Sequence, residues 1–423
     1  MRIDLELFLE IDENEDQPLE NLKLFSLSVG TTINSSTSID QTYIDSNPGP
    51  YTVEGGTEEN PVIISIISDL TITSIDTYFI TNSDYITINS DIEQGYVIFI
   101  NDVLLYNGLV LNSSNSNILI DGITIKGANS TLNPGTGWIA GSSFGVNCSN
   151  NKIQNCSNYL PIELNSGGIV GRDSKVDTSY CNNYGELLVN PLIRSDGLNY
   201  GSYSGGIYGR ACEGNSDNCI NYSVLNSSFS GGIIGRTNQN FNITNCTNWG
   251  DINGFASGGI IAVFEKSENF INNLNISNCI NYGNIIGKYS AGFAFYTLDE
   301  TKSFITQCTN YGSISGNYPI AGIINQCVDA TIDSCINNGV ITGYIASGIV
   351  RVGLNATIKN CENNGTILGK YNSGIVIFTS DTKISECKNS GDISSQYSAG
   401  IIAFAPNNSS SIINCSNDGE IAG

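Results

Sequence analysis

The 423-residue chain contains no histidine, one methionine, two tryptophans and nine prolines, and only 17 basic side chains stand against 40 acidic ones. Without histidine there is no Ser-His-Asp or Cys-His triad, no imidazole general base and no histidine-ligated zinc site. A formal charge of −23 repels phosphate backbones, so nucleic acid is not expected as a partner. No apolar run approaches the roughly 18 to 20 residues that cross a bilayer, and no membrane span is expected. The first twenty residues carry eight acids and only Arg2, with no basic stretch leading into an apolar one, so no secretory signal is read there. Charged residues make up only 13% of the chain, yet 40% are hydrophobic, which is enough to bury a core and excludes a disordered chain.

What is present is a repeat. From Ile153 onward a pattern of the form I-x-x-C-x-N-x-G-x-I recurs, carried by Cys156, Cys181, Cys219, Cys246, Cys279, Cys308, Cys335, Cys361, Cys387 and Cys415. Their spacings are 25, 38, 27, 33, 29, 27, 26, 26 and 28 residues, a basic period of about 26. Two residues after each cysteine stands an asparagine, from Asn158 to Asn417, and six residues after each an aliphatic side chain, from Ile162 to Ile421. A glycine stands four residues after the cysteine in eight of ten copies, Leu160 and Ser223 being the departures, which suits a turn with positive φ. A Gly-Ile pair alternates with this element, at Gly168, Gly206, Gly232, Gly259, Gly322, Gly348, Gly374 and Gly400, and as Gly292-Phe293 in one copy.

Each copy reads as three short β segments, around Gly-Ile, around I-x-x-C and around G-x-I, separated by turns. No stretch keeps a 3.6-residue apolar period, so helices are not expected. Stacking such coils sets equal positions about 4.8 Å apart, with every strand pairing in parallel with its copy. The expected fold is all-β: a right-handed parallel β-helix, a solenoid with three strands per coil of about 26 residues, its hand following from the rule for parallel crossovers. In such a coil the recurring asparagines can bond amide to amide along the axis. The ladder cysteines then serve as small buried thiols. Cys148, Cys212 and Cys327 lie off the ladder, and an odd total of 13 with no secretory signal favours free thiols over disulfides. No metal or cofactor site emerges.

Two surface rows are candidate sites. Aromatics follow the ladder asparagine in six successive coils, at Tyr159, Tyr184, Tyr222, Trp249, Tyr282 and Tyr311; the last four coils carry Asn338, Asn364, Ser390 and Asp418 there. Such a row is either a platform for pyranose faces or a cover over the turn that stabilises the stack. A second aromatic set, Tyr203, Phe229, Tyr289, Tyr371 and Tyr397, precedes the Gly-Ile strand and admits the same two readings. Arg172, Arg210 and Arg236 occupy equivalent places in three neighbouring coils, either as an anion site with Asp173 and Asp177 as partners or as a solvated row balanced by the surplus of acids.

The charge divides the chain unevenly: residues 1–60 hold 13 acids against Arg2 and Lys23, a net of −11. Residues 1–56 are therefore read as an acidic N-terminal segment that caps, anchors or docks, 57–150 as the first coils of the β-helix, and 151–423 as the Cys/Asn/Gly repeat. Leu5, Leu7, Phe8, Leu9 and Ile11, then Leu22, Leu24, Phe25, Leu27 and Val29, supply apolar residues for a cap. The last coil ends in register at Gly423 without a polar cap, which offers an edge to another subunit or to further chain.

Ser257-Gly-Gly-Ile-Ile, Ile243-Thr-Asn-Cys-Thr-Asn-Trp-Gly-Asp-Ile and Ile305-Thr-Gln-Cys-Thr-Asn-Tyr-Gly-Ser-Ile resemble GLUG-type repeats of large surface proteins. Upstream, Tyr78-Phe-Ile, Ser83-Asp-Tyr-Ile-Thr-Ile, Tyr106-Asn-Gly-Leu-Val, Asn117-Ile-Leu-Ile and Gly137-Trp-Ile-Ala-Gly resemble the opening region of β-helix repeat proteins encoded by giant DNA viruses of amoebae. The resemblance covers roughly residues 60 to 423. It implies the fold and a place on a virion, particle or cell surface, but no catalytic residues. The expected function is a structural or adhesive surface protein presenting repeated turn surfaces to a host or viral glycan or a capsid partner. The competing reading is a polysaccharide lyase or glycoside hydrolase on the same scaffold. Neither the clustered Asp, Arg and Lys of the former nor the two-carboxylate pair of the latter can be assigned from the sequence.

Overall fold

A computed structural model of the chain describes residues 30–112, 114–187, 203–237, 240–264, 273–297, 302–406 and 409–423. Short runs that alternate isoleucine with polar residues form strands, and every strand pairs in parallel with its equivalent one coil away. The result is a β-solenoid of about 13 turns, about 27 residues apart. Its faces are a 14-stranded sheet from Thr37–Ile39 to Ser411–Ile413 and a 13-stranded sheet from Leu70–Ile72 to Ser416–Asn417. A nine-stranded sheet runs from Leu225–Asn226 to Ile421–Ala422, and an eight-stranded sheet from Tyr208–Arg210 to Ile402–Phe404. One coil shows the pattern: Ile341–Ser347, Val350–Leu354, Thr357–Lys359 and Glu362–Asn363 pair with Ile367, Val376, Lys383 and Lys388 onward in the next.

The segment expected as one strand around I-x-x-C is divided in two. The residue before each ladder cysteine is left-handed, with φ between 51° and 54° at Asn155, Tyr180, Asn218, Asn245, Asn278, Gln307, Ser334, Asn360, Glu386 and Asn414. Six of these ten are asparagine, which tolerates that region better than other non-glycine residues. The glycines after the cysteine, expected at positive φ, are not there for that reason. At Gly185, Gly250, Gly283, Gly312, Gly339, Gly365, Gly391 and Gly419 a Cβ would lie 1.8 to 2.1 Å from the carbonyl oxygen of the preceding coil.

That carbonyl is held by the asparagine ladder. Asn158, Asn183, Asn221, Asn248, Asn281, Asn310, Asn337, Asn363 and Asn389 each donate Nδ2 to the Oδ1 of the next, at 2.6 to 2.9 Å. The same Nδ2 also donates to the carbonyl two residues on, as from Asn281 to Gly283 O at 2.9 Å. The glycine of each Gly-Ile pair closes the other side: a Cβ on Gly259 would meet Asn281 Cγ at 2.5 Å, and one on Gly348 would meet Asn363 Cγ at 2.5 Å. Both glycine columns are thus explained by one buried amide file, and all nine donor asparagines are wholly inaccessible to solvent.

Beside the ladder run columns of isoleucine, such as Ile243, Ile276, Ile305, Ile332, Ile358 and Ile384, all fully buried. Each contributes about 1.5 to 3 kcal/mol of burial. The ladder cysteines share this interior as free thiols, and the odd-placed Cys148, Cys212 and Cys327 are buried and free as well. The resemblance-bearing Tyr106 and Trp138 are core residues. Their rings lie 6.0 Å apart, Tyr106 Oη donates to Thr77 O at 2.7 Å, and Trp138 Nε1 donates to Pro161 O at 2.8 Å.

The boundary expected at residue 56 falls inside the stack. Thr31–Ile33 pairs with Tyr51–Val53, and Thr37–Ile39 pairs with Ile64 to Ile66, so strands of the solenoid begin at Thr31 among the described residues. One short helix, Gln41–Ser46, sits between these strands, with Asp40 accepting from Tyr43 N at 2.8 Å as its N-cap. The apolar residues expected to form a cap, Leu5 to Val29, lie outside the described residues. The last coil is in register, and Ile412, Ile413 and Ile421 are exposed on it.

Replacing Asn281 by alanine takes one bond from Asn248 Nδ2, which keeps Gly250 O, and removes the donor to both Asn310 Oδ1 and Gly283 O; it is expected to destabilise the chain by about 3 kcal/mol. Asn364→Ala removes an exposed amide bond of 3.0 Å to Asn338 and is expected to change stability by no more than about 0.5 kcal/mol. Urea unfolding of both variants measures the contrast.

Candidate functional site

The six-membered aromatic row is where the sequence placed it, but its rings face one another. Tyr159 and Tyr184 stack at 4.4 Å and 8°, Tyr184 and Tyr222 at 4.6 Å and 4°, Trp249 and Tyr282 at 4.0 Å and 11°, and Tyr282 and Tyr311 at 5.0 Å and 8°. These separations are the strand spacing itself. No ring contact joins Tyr222 to Trp249 among the described residues, so the row is two triads. Lys126 Nζ lies 4.7 Å from the centre of Tyr159 and covers the outer face of the first. A pyranose binds an aromatic ring through its face, and here most faces are taken by neighbouring rings. Burial and the flanking Tyr159 and Tyr222 push the Tyr184 hydroxyl up to about 12. The row is therefore built as a rib along the turn, with ring edges and hydroxyls outward.

The arginine row is also in register, Arg210 opposite Arg236. Arg172 Nε lies 3.5 Å from Asp173 Oδ2. The expected second acid, Asp177, is instead engaged by Asn215, whose backbone N and Nδ2 donate to it at 2.9 and 2.8 Å. Arg210 and Arg236 share the face of Tyr203, with Cζ 5.6 and 4.9 Å from its centre. Tyr203 stacks on Phe229 at 4.7 Å, which joins the arginine row to the second aromatic set.

That second set borders a feature the sequence reading did not identify. A groove of about 1250 Å³ runs along the axis beside the nine-stranded sheet. Its floor is Gly254, Gly287, Gly316, Gly343 and Gly369, one glycine per coil, eight residues after each ladder cysteine. At Gly287, Gly316 and Gly369 a Cβ would stand 1.7 to 1.9 Å from the carbonyl oxygen of the floor glycine in the preceding coil, so stacking forbids a side chain there and leaves a furrow. One bank carries Ile286 and Leu368, which are exposed. The other carries rings in contact: Phe229 with Phe255 at 6.1 Å, Phe255 with Tyr289 at 5.4 Å, Tyr289 with Tyr318 at 5.2 Å, and Tyr344 with Tyr371 at 5.7 Å. These four contacts are inclined at 55° to 68° rather than stacked, Tyr318 and Tyr344 are 39% and 48% exposed, and Lys288 and Lys370 lie over them at 4.8 and 5.4 Å. The row of glycines was the available signal, since it recurs at a constant offset.

The groove is lined by rings, amides, hydroxyls and two lysines. No carboxylate is among the described residues that line it. Lys370 is held above the ordinary lysine range by Tyr344, so it is protonated at neutral pH and unsuited to act as a base. Glu163, whose carboxyl is pushed up by burial, is not among the residues lining the groove. Among the described residues no three His, Cys, Asp or Glu side chains group to hold a metal ion. Burial raises the off-ladder thiols Cys212 and Cys327 to about 12. No protein-family model, curated protein or solved structure matches the chain.

Twelve of the 13 cysteines are buried, Cys415 being the partly open one. Alkylation of the native protein at pH 8 is expected to modify Cys415 first and leave the interior ladder untouched, whereas all 13 react after denaturation; mass spectrometry of the modified peptides reads the order.

Proposed function

We propose that the chain is a non-catalytic binding rod, a structural or adhesive surface protein whose axial groove holds an extended glycan. The observation that carries this is the groove itself: a furrow across six coils, about 24 Å long at the strand spacing, with exposed tyrosines on one bank and no carboxylate among the described residues that line it. An extended polymer can lie along it and meet a new ring every coil or two, and repetition makes such contact multivalent. The resemblance to β-helix proteins of giant DNA viruses adds a place for this role, on the surface of a particle. Glycoside hydrolysis by a carboxylate pair finds no support in the groove.

Incubation of the purified protein with neutral and acidic polysaccharides is expected to give saturable binding with no new reducing ends or unsaturated products. Tyr344→Ala is expected to weaken that binding at least about fivefold, while Tyr184→Ala in the stacked row leaves it unchanged. Turnover of any substrate, or the reverse pattern in the two variants, would sink the reading.

A further inference from the structure

The charge of the groove runs against that of the chain. In a protein of formal charge −23, the charged residues that line it are Lys288 and Lys370. Neither is paired with a carboxylate among the described residues. Each is instead set between rings: Lys288 Nζ lies 5.7 Å from the centre of Phe255 and 4.8 Å from that of Tyr318, and Lys370 Nζ lies 5.4 Å from both Tyr344 and Tyr371. Ring faces hold an ammonium without neutralising it, so both charges stay available over the floor. Behind the same bank the buried Arg351 donates Nε to Asn325 Oδ1 at 2.5 Å.

We infer that the groove takes an acidic polysaccharide, a glycan bearing carboxylates or sulfates, anchored at Lys288 and Lys370 while its sugar rings meet Tyr318 and Tyr344. This rests on the glycan-binding reading and names the class of glycan. The two lysines stand three coils apart, about 14 Å at the strand spacing, so an extended polymer lying along the groove can meet both. The exposed surface of Tyr318 and Tyr344 suits a sugar ring beside each lysine, and the repulsion of a protein of formal charge −23 weighs most against a continuous phosphate backbone.

The test uses the full chain and the double variant Lys288→Gln/Lys370→Gln, titrated calorimetrically with polygalacturonate, heparin, neutral dextran, neutral xylan and an oligothymidylate. The native protein is expected to bind at least one acidic glycan at low ionic strength and to lose affinity as salt rises. The variant is expected to bind that glycan about five- to tenfold more weakly, with a shallower salt dependence and an unchanged thermal midpoint. Equal binding of a neutral glycan by both proteins, with no preference for the acidic ones, overturns the anionic assignment and leaves the glycan groove standing. Binding of no glycan overturns both. Tighter binding of the oligothymidylate than of either acidic glycan overturns the assignment in favour of a nucleic acid.

Discussion

The buried amide file is the contact on which the rest of this solenoid depends. Each side-chain amide is planar, donates twice and sits at the strand spacing from its copies, with bonds of 2.6 to 2.9 Å along the file. Such a file tolerates little variation in coil height, because a buried amide left half-bonded costs about 1 to 3 kcal/mol. Glycine on both flanks lets the backbone approach closely enough to accept the second donor. The asparagine, the glycine two residues later and the glycine of the Gly-Ile pair therefore form one contact spread over neighbouring coils.

The same register governs the outside. Whatever side chain a coil presents meets its equivalent in the next coil, so like is set on like. Tyrosines stack on tyrosines until their faces close, and arginines align and share the ring of Tyr203. Polar positions form a second amide contact at Asn338 and Asn364. Where the repeated residue is glycine, the surface is not decorated but hollowed, and the five floor glycines produce the groove by the absence of side chains. A binding surface in this fold is thus a column property, set by one offset within the repeat.

Legibility followed from this. The coil, the inward isoleucines, the amide ladder and the free thiols were readable because each recurs at a fixed offset from a cysteine. The glycine four residues past the cysteine was read as a positive-φ turn because local chemistry suggests that use. Its actual constraint is a carbonyl in another coil, some 25 or more residues away in sequence. The left-handed corner fell instead on the residue before the cysteine, where Tyr180, Gln307, Ser334 and Glu386 hide a column that asparagine otherwise marks. Strands from Thr31 to Val53 escaped notice because they lack the cysteine and asparagine that announce the later coils.

By itself the sequence determined the period, the parallel stacking and the identity of the interior columns, since a solenoid repeats its contacts at a constant interval along the chain. Tertiary structure alone decided which rings stack and which are inclined, which acid meets which arginine, and where a row of glycines becomes a furrow with two lysines set over its rings. These depend on side-chain direction and on contacts between coils, and neither is encoded in the spacing of residue types.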